Sequence, residues 1–300
     1  MWLELIPNHV ILNDPAYFSP KYFSQLFSIM SNEFRLFIDK DENGFIRFLI
    51  EVDDNIAIPL SEYLSILLKC SIRESDIPNL NYKYRLEATM ARHYSFPISK
   101  KWSDDQQNIF HPPIPIDSII SSILTLGTAI EIISKPKNNL KFIKNKDTIE
   151  KYSSRIFECN IFIYGNKKES LRATLQSFPK TSKNWLIEYK IKKQNKWKFQ
   201  KFSNHIISSN KSLLLKALFL AIVLIFLKNF NLKFIINLFN PLIFSLFLLL
   251  IIPILFIKNY KIIALSDYEL ASIFSFPSPC IPMKKPISTL VVVRNELRNE

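Results

Sequence analysis

Glycine and cysteine are both scarce in this chain, with 3 of each among 300 residues, against 25 Phe. Phosphate-cradling loops need glycine, because the backbone must approach the anion closely and turn through positive φ. Gly44, Gly127 and Gly165 lie far apart and none precedes a Gly-Lys pair, so no segment fits GxxxxGK[ST]. That excludes a P-loop ATPase site within this sequence. Cys70, Cys159 and Cys280 are odd in number, widely spaced and without CxxC spacing, which argues against a disulfide framework or a structural zinc site. Cys159 falls in an apolar strand pattern and reads as a reduced core thiol, consistent with a reducing cytoplasm.

Other chemistry is missing as well. His9, His93, His111 and His205 are scattered, with no HExxH and no i, i+4 pair to hold a metal. Asp53-Asp54 and Asp104-Asp105 are neighbours in loops, where adjacent carboxylates rarely converge on one substrate atom. There is no GxSxG elbow and no Cys–His arrangement. The start, Met1-Trp2-Leu3-Glu4-Leu5, has neither a basic region nor a long apolar run, so no cleaved signal peptide is expected. The sequence therefore nominates no catalytic, cofactor-binding or metal-ligating residue, and the chain reads as non-enzymatic.

What is present is charge and grease. The formal charge is +13, which suggests an anionic partner such as nucleic acid or acidic lipid. Lys, Asn, Ile and Phe are all enriched together, so an AT-rich coding bias accounts for the same excess. Two apolar runs dominate the last third, at about 206–227 and 234–257. A bilayer core needs about 20 helical residues. The second run suffices; the first needs Lys211 and Lys216 to snorkel. Lysines cluster before the first run and after the second, with only Lys228 and Lys233 between them. The positive-inside bias then predicts a two-pass cell-membrane protein with both termini cytoplasmic.

The region ahead of these runs is written twice. Residues 1–78 read as β, α, β, β, α, β, with Asp41-Glu42-Asn43-Gly44 joining two β-rich runs as a hairpin. Ser19-Pro20 is expected to cap the first helix, and the second is expected to follow Pro59. Residues 79–205 repeat that order. Asp117 is expected to cap one helix there, and Asn166 with Glu169 to form a capping box on another. The halves share element order, not residue identity. The expected fold class is α+β, two tandem ferredoxin-like (βαββαβ) modules plus a two-helix transmembrane hairpin at 206–257. Residues 258–300 are expected to be a cytoplasmic tail with a short helix at 266–275 and a Pro-rich linker.

Two segments carry candidate contacts. Lys180–Lys201 holds eight lysines against one acid, Glu188, interleaved with Trp185, Tyr189, Trp197 and Phe199. Aromatics between cations suit base stacking with phosphate neutralisation. Trp185 and Tyr189, however, take the inward parity of an alternating strand Trp185, Ile187, Tyr189, Ile191 and are expected in the core. Lys190, Lys192, Lys193, Lys196, Lys198 and Lys201 remain as contacts for anionic lipid or nucleic acid.

The second segment is Leu265-Ser266-Asp267-Tyr268-Glu269-Leu270-Ala271-Ser272-Ile273-Phe274-Ser275-Phe276-Pro277. It resembles the LS-x-x-ELA-x-[LI]-[FW]-x-[FL]-P stretch just upstream of the motor domain in conjugation-related ATPases of the HerA/FtsK superfamily. The upstream chain is similar more loosely, through Phe45–Val52, Thr128–Ser134 and the Leu171-Arg172-Ala173 helix start. The motor domain itself is missing. The resemblance implies a stand-alone version of the N-terminal, membrane-proximal part of a type IV coupling or secretion ATPase, or a protein that docks one. Leu265, Glu269, Leu270, Ile273, Phe274 and Pro277 are then the partner-docking residues. The expected partners are a separately encoded P-loop ATPase and a lipid bilayer, with DNA as the alternative and self-association open. On the residues alone, Ser266 and Glu269 have capping-box spacing, and the helix could equally dock on its own domain.

Overall fold

The computed structural model describes residues 1–8, 11, 14, 17–99, 115–137, 148–193, 197–199, 262–279, 281 and 283. The first half contributes β1 (Trp2–Pro7), α1 (Ser19–Ile29), β2 (Phe34–Lys40), β3 (Ile46–Glu51), α2 (Asp54–Leu68) and β4 (Cys70–Ser75). The second contributes β5 (Tyr84–Met90), α3 (Pro115–Leu126), β6 (Ala129–Pro136), α4 (Ile149–Tyr152), β7 (Ile156–Gly165), α5 (Lys168–Gln176) and β8 (Leu186–Lys193). A short strand β9 (Ile263–Ser266) and helix α6 (Asp267–Ile273) follow.

All nine strands belong to one sheet, in the order β4-β1-β3-β2-β6-β7-β5-β8, with β9 on β7. Each half sets its fourth strand beside its first, the first beside the third and the third beside the second, the pairing of a split βαβ unit. The halves meet where β2 pairs antiparallel with β6 over Phe34↔Ser134 to Ile38↔Ile130. Two corrections follow. The halves are not tandem modules on separate sheets, because that seam satisfies both exposed edges at once and fuses their cores. Among the described residues no helix is long and apolar enough to cross a membrane, so the transmembrane hairpin, the membrane keywords and the two-pass cell-membrane localisation are withdrawn. The runs at about 206–227 and 234–257 lie outside the described residues.

Alternation along the strands explains the core. Leu3, Leu5, Leu36, Ile38, Phe48, Ile50, Ile130, Ile132, Ile161 and Ile163 share one face and pack under the helices. The same face receives α6. Phe274 meets Phe23 and Phe48 at 5.7 and 5.5 Å, and Phe276 meets Phe23 at 5.1 Å, all edge-to-face. Such geometry suits the ring quadrupole, and each buried ring contributes about 1.5–3 kcal/mol. The segment expected to be a tail thus fills the space between α1 and α3. Phe276 N–H donates to Ser19 Oγ at 2.8 Å, and Ser278 N–H to Asp117 Oδ1 at 2.9 Å.

Local capping departs from the sequence reading in instructive ways. Ser19 begins α1 rather than capping it, the cap position being Phe18 with no side-chain bond. Helix α2 starts at Asp54, with Asp53 capping Asn55 N–H, and carries Pro59 inside it. Asp117 sits in the first turn of α3, and Asn166 accepts from Lys83 N–H instead of capping α5. For Ser19, Asp117 and Asn166 a tertiary partner takes the side chain the local motif would have used. The box at α6 does form: Ser266 Oγ accepts from Glu269 N–H and the Glu269 carboxylate accepts from Ser266 N–H.

Glu269 also carries a charge into the interior of the fold. It is fully buried with Lys151 of α4, Nζ to Oε2 2.9 Å, and it accepts from Ile98 N–H at 2.7 Å. Lys151 Nζ donates as well to Ala264 O at 2.6 Å. Every polar atom of the pair is engaged, which is the condition for keeping ions away from water. Replacement Lys151→Met strands the Glu269 charge and is expected to cost about 3–5 kcal/mol in chemical denaturation. Adding Glu269→Gln should restore part of that loss.

Candidate functional site

The docking residues nominated from the sequence are all interior. Leu265, Glu269, Leu270, Ile273 and Phe274 are completely buried, and Pro277 is buried too. They build β9 and α6 and present no outward face. The lysines lie at the surface: Lys190, Lys193 and Lys198 are exposed, and Lys192 is half-buried. Lys196 and Lys201 lie outside the described residues.

The sheet face opposite the helices carries alternating charges, arranged in pairs. Arg73 bonds Glu4, Arg47 bonds Asp39, and Arg35 lies 3.2 Å from Glu51 and 3.3 Å from Glu131. Tyr164 donates to Glu131 at 2.5 Å. Burial raises the Glu131 carboxyl above its ordinary range, and the Tyr164 bond, Arg35 and Arg85 oppose that only in part. Arg85 is fully buried between Phe162 and Trp197, at 4.7 and 4.5 Å from the ring centroids. Trp197 and Phe199 cross this face, where Phe199 packs on Trp2 and Phe37. The middle of the face is therefore covered.

The β8 margin is open. Among the described residues β8 pairs only with β5, so it forms one edge of the sheet. Leu186 opposes Met90 on the helix side. Trp185 and Ile187, one residue to either side, stand on the opposite face with 37% and 38% exposure, and Tyr189 is 44% exposed. The parity expected from the sequence is reversed at Trp185, Ile187 and Tyr189, with Leu186 taking the core instead, while Ile191, opposite Leu86, packs on the core as expected. A register shift between Glu87 and Ala88 gives β8 an extra residue at Tyr189. Beyond the bulge, Lys190 opposes Glu87 and Lys192 opposes Arg85 on the open face, while Lys193 opposes Tyr84. The Arg92 guanidinium lies 5.5 Å from the Trp185 ring. The result is a row of Trp, Ile and Tyr continued by cations.

Next to this row the sheet forks. One edge of β7 pairs with β5 at Phe162–Gly165 and with β9 at Ile156–Cys159, leaving Asn160 and Ile161 between the two. The fork holds a cleft of about 20 Å³, room for one or two water-sized groups. Glu87, Thr89, Asn160, Phe162 and Tyr189 are among its lining residues. Nothing in the sequence pattern marks this cleft, because it arises from where two strands part. Asn160 reads there only as one polar residue in an apolar strand.

Among the described residues no group of three His, Cys, Asp or Glu side chains could hold a metal ion. The arrangement offers stacking surfaces, cations and a polar notch, which suit binding. No protein-family model, curated protein or solved structure matches the chain.

Glu87 is the charged group at the cleft. Burial alone would raise its carboxyl, but Lys192 at 2.5 Å and Arg85 at 2.9 Å more than offset this and hold it below the ordinary value of 4.5. A depressed folded value means its contribution to stability is fully present above pH 4.5 and is lost as pH falls through the lower folded value. The variant Glu87→Gln should show a flatter acid limb than the parent in denaturation measured from neutral pH downward.

Proposed function

We propose that the chain is a non-catalytic accessory of a DNA-translocating or secretion ATPase, and that it contacts single-stranded nucleic acid along β8. The observation that carries the nucleic-acid contact is the exposed row Trp185, Ile187 and Tyr189, continued on the same face by Lys190, with the exposed Lys198 on the strip that crosses that face. Base faces stack on such rings without regard to sequence, at about 1–3 kcal/mol per base, while the ammonium groups neutralise phosphates. Lys192 is held by Glu87, and Glu188 is taken up by Arg172 at 2.7 Å, which leaves little acid along the strand to repel a phosphate backbone.

The link to a translocation ATPase rests on the resemblance of Leu265–Pro277. What favours it is the integration of that segment into the fold. Strand β9 extends the sheet, the Lys151–Glu269 pair locks α6, and the whole body forms one unit ahead of the point where such ATPases begin their motor. The segment's apolar side chains belong to the core, so a docked motor would meet other surfaces.

Titration of the full chain with a fluorescent oligothymidylate tests the nucleic-acid contact. With three or four phosphates neutralised, affinity should fall about twenty- to fiftyfold between roughly 50 and 200 mM salt. The combined change Trp185→Ala and Tyr189→Ala should weaken binding at every salt concentration, and Lys190→Ala with Lys198→Ala should reduce the salt slope. Absent or salt-independent binding rejects the contact. Separately, affinity capture with the full chain should recover a P-loop ATPase, and repeated failure to recover one counts against the accessory role.

A further inference from the structure

We propose that the cleft at the fork of the sheet receives an exocyclic carbonyl oxygen of a nucleobase stacked on Tyr189, with the Asn160 amide as donor. This rests on the β8 reading above and deepens it, because it assigns a preference among bases to a surface otherwise indifferent to sequence.

Three observations lead there. Asn160 is only 9% exposed, and its Nδ2 has no hydrogen-bond partner. A buried N–H left unpaired is costly, so this group is set to gain from an incoming acceptor. The cleft that Asn160 lines has room for one or two water-sized groups, so the acceptor must protrude from its ring rather than lie within it. Finally, the Glu87 carboxylate that also lines the cleft is already engaged by Lys192 and Arg85, and the Asn160 amide remains the donor there without a partner. A carbonyl oxygen protruding from a stacked base meets these conditions. Thymine, cytosine and guanine carry such a carbonyl; adenine presents an exocyclic amine, which donates and would leave Nδ2 unpaired. Tyr189, at the bulge and lining the same cleft, supplies the ring on which such a base would stack.

The experiment uses the full chain and three strands of equal length: oligothymidylate, oligodeoxyadenylate, and a thymidine isostere in which fluorine replaces both carbonyl oxygens. Thymine strands should bind about three- to tenfold more tightly than the isostere, the worth of one neutral hydrogen bond. They should also bind more tightly than adenine strands. Asn160→Ala should abolish the difference between thymine and isostere while leaving the salt slope unchanged. Equal binding of thymine and isostere by the unaltered chain overturns the inference while leaving the β8 contact standing. So does a preference that survives Asn160→Ala, and either result would mean that the cleft holds water alone. Should the variant fail to fold, the isostere comparison on the unaltered chain decides. If no strand binds, the β8 reading falls and this inference goes with it.

Discussion

The antiparallel seam between β2 and β6 is the constraint on which the rest of this structure depends. Each half alone would end in a strand with unpaired backbone groups, a standing liability in water. Pairing Phe34–Ile38 with Ile130–Ser134 removes both edges and sets the two helical layers side by side on one face. That adjacency creates the groove between α1 and α3 which Phe274 and Phe276 fill. The Lys151–Glu269 pair is tolerable only because this groove supplies further partners, Ile98 N–H and Ala264 O, for ions that have left water.

The same continuity shapes the opposite face. Side chains alternate across every strand, so the residues that do not point at helices form a second surface eight strands wide. In its middle, acids and arginines are drawn into pairs and covered by Trp197 and Phe199. At the β8 margin the cover ends, and the rings of Trp185 and Tyr189 meet solvent beside lysines that have few acidic neighbours. Covered and open parts of one face thus have different chemistry for a simple reason: aromatic groups carried by the chain beyond β8 shield the centre of the face and leave its edge uncovered.

Much of the element order could be read from periodicity. The Asn-Gly hairpin at 41–44, the helix with Phe23 and Leu26 inward, and the capping box at Ser266 and Glu269 are local patterns set by residues close in sequence. Errors arose where a distant group competed for a side chain. Asn166 was drawn to Lys83 N–H and Asp117 to Ser278. Pro59 is a different case, since a local cap at Asp53 starts its helix five residues earlier. On β8 the alternation itself was visible, yet its direction was not. Trp185, Ile187 and Tyr189 look as apolar as the residues that face the helices, and only pairing of Leu186 with Met90 decides which set is buried.

By itself the sequence determined the alternating patterns, the turn chemistry, the excess of lysine and the absence of phosphate-loop or metal-ligand motifs, since each depends on residue identity and short-range spacing. The tertiary structure decided that the two halves share one sheet, that the Leu265–Pro277 segment belongs to the core, and that pairing of Leu186 with Met90 turns an aromatic row outward beside a forked strand pair, with a bulge bringing Lys190 and Lys192 onto the same face. Those outcomes depend on which strand edges meet and on where unpaired backbone and charge find partners. Both are relations between residues far apart in the sequence, and no local pattern carries them.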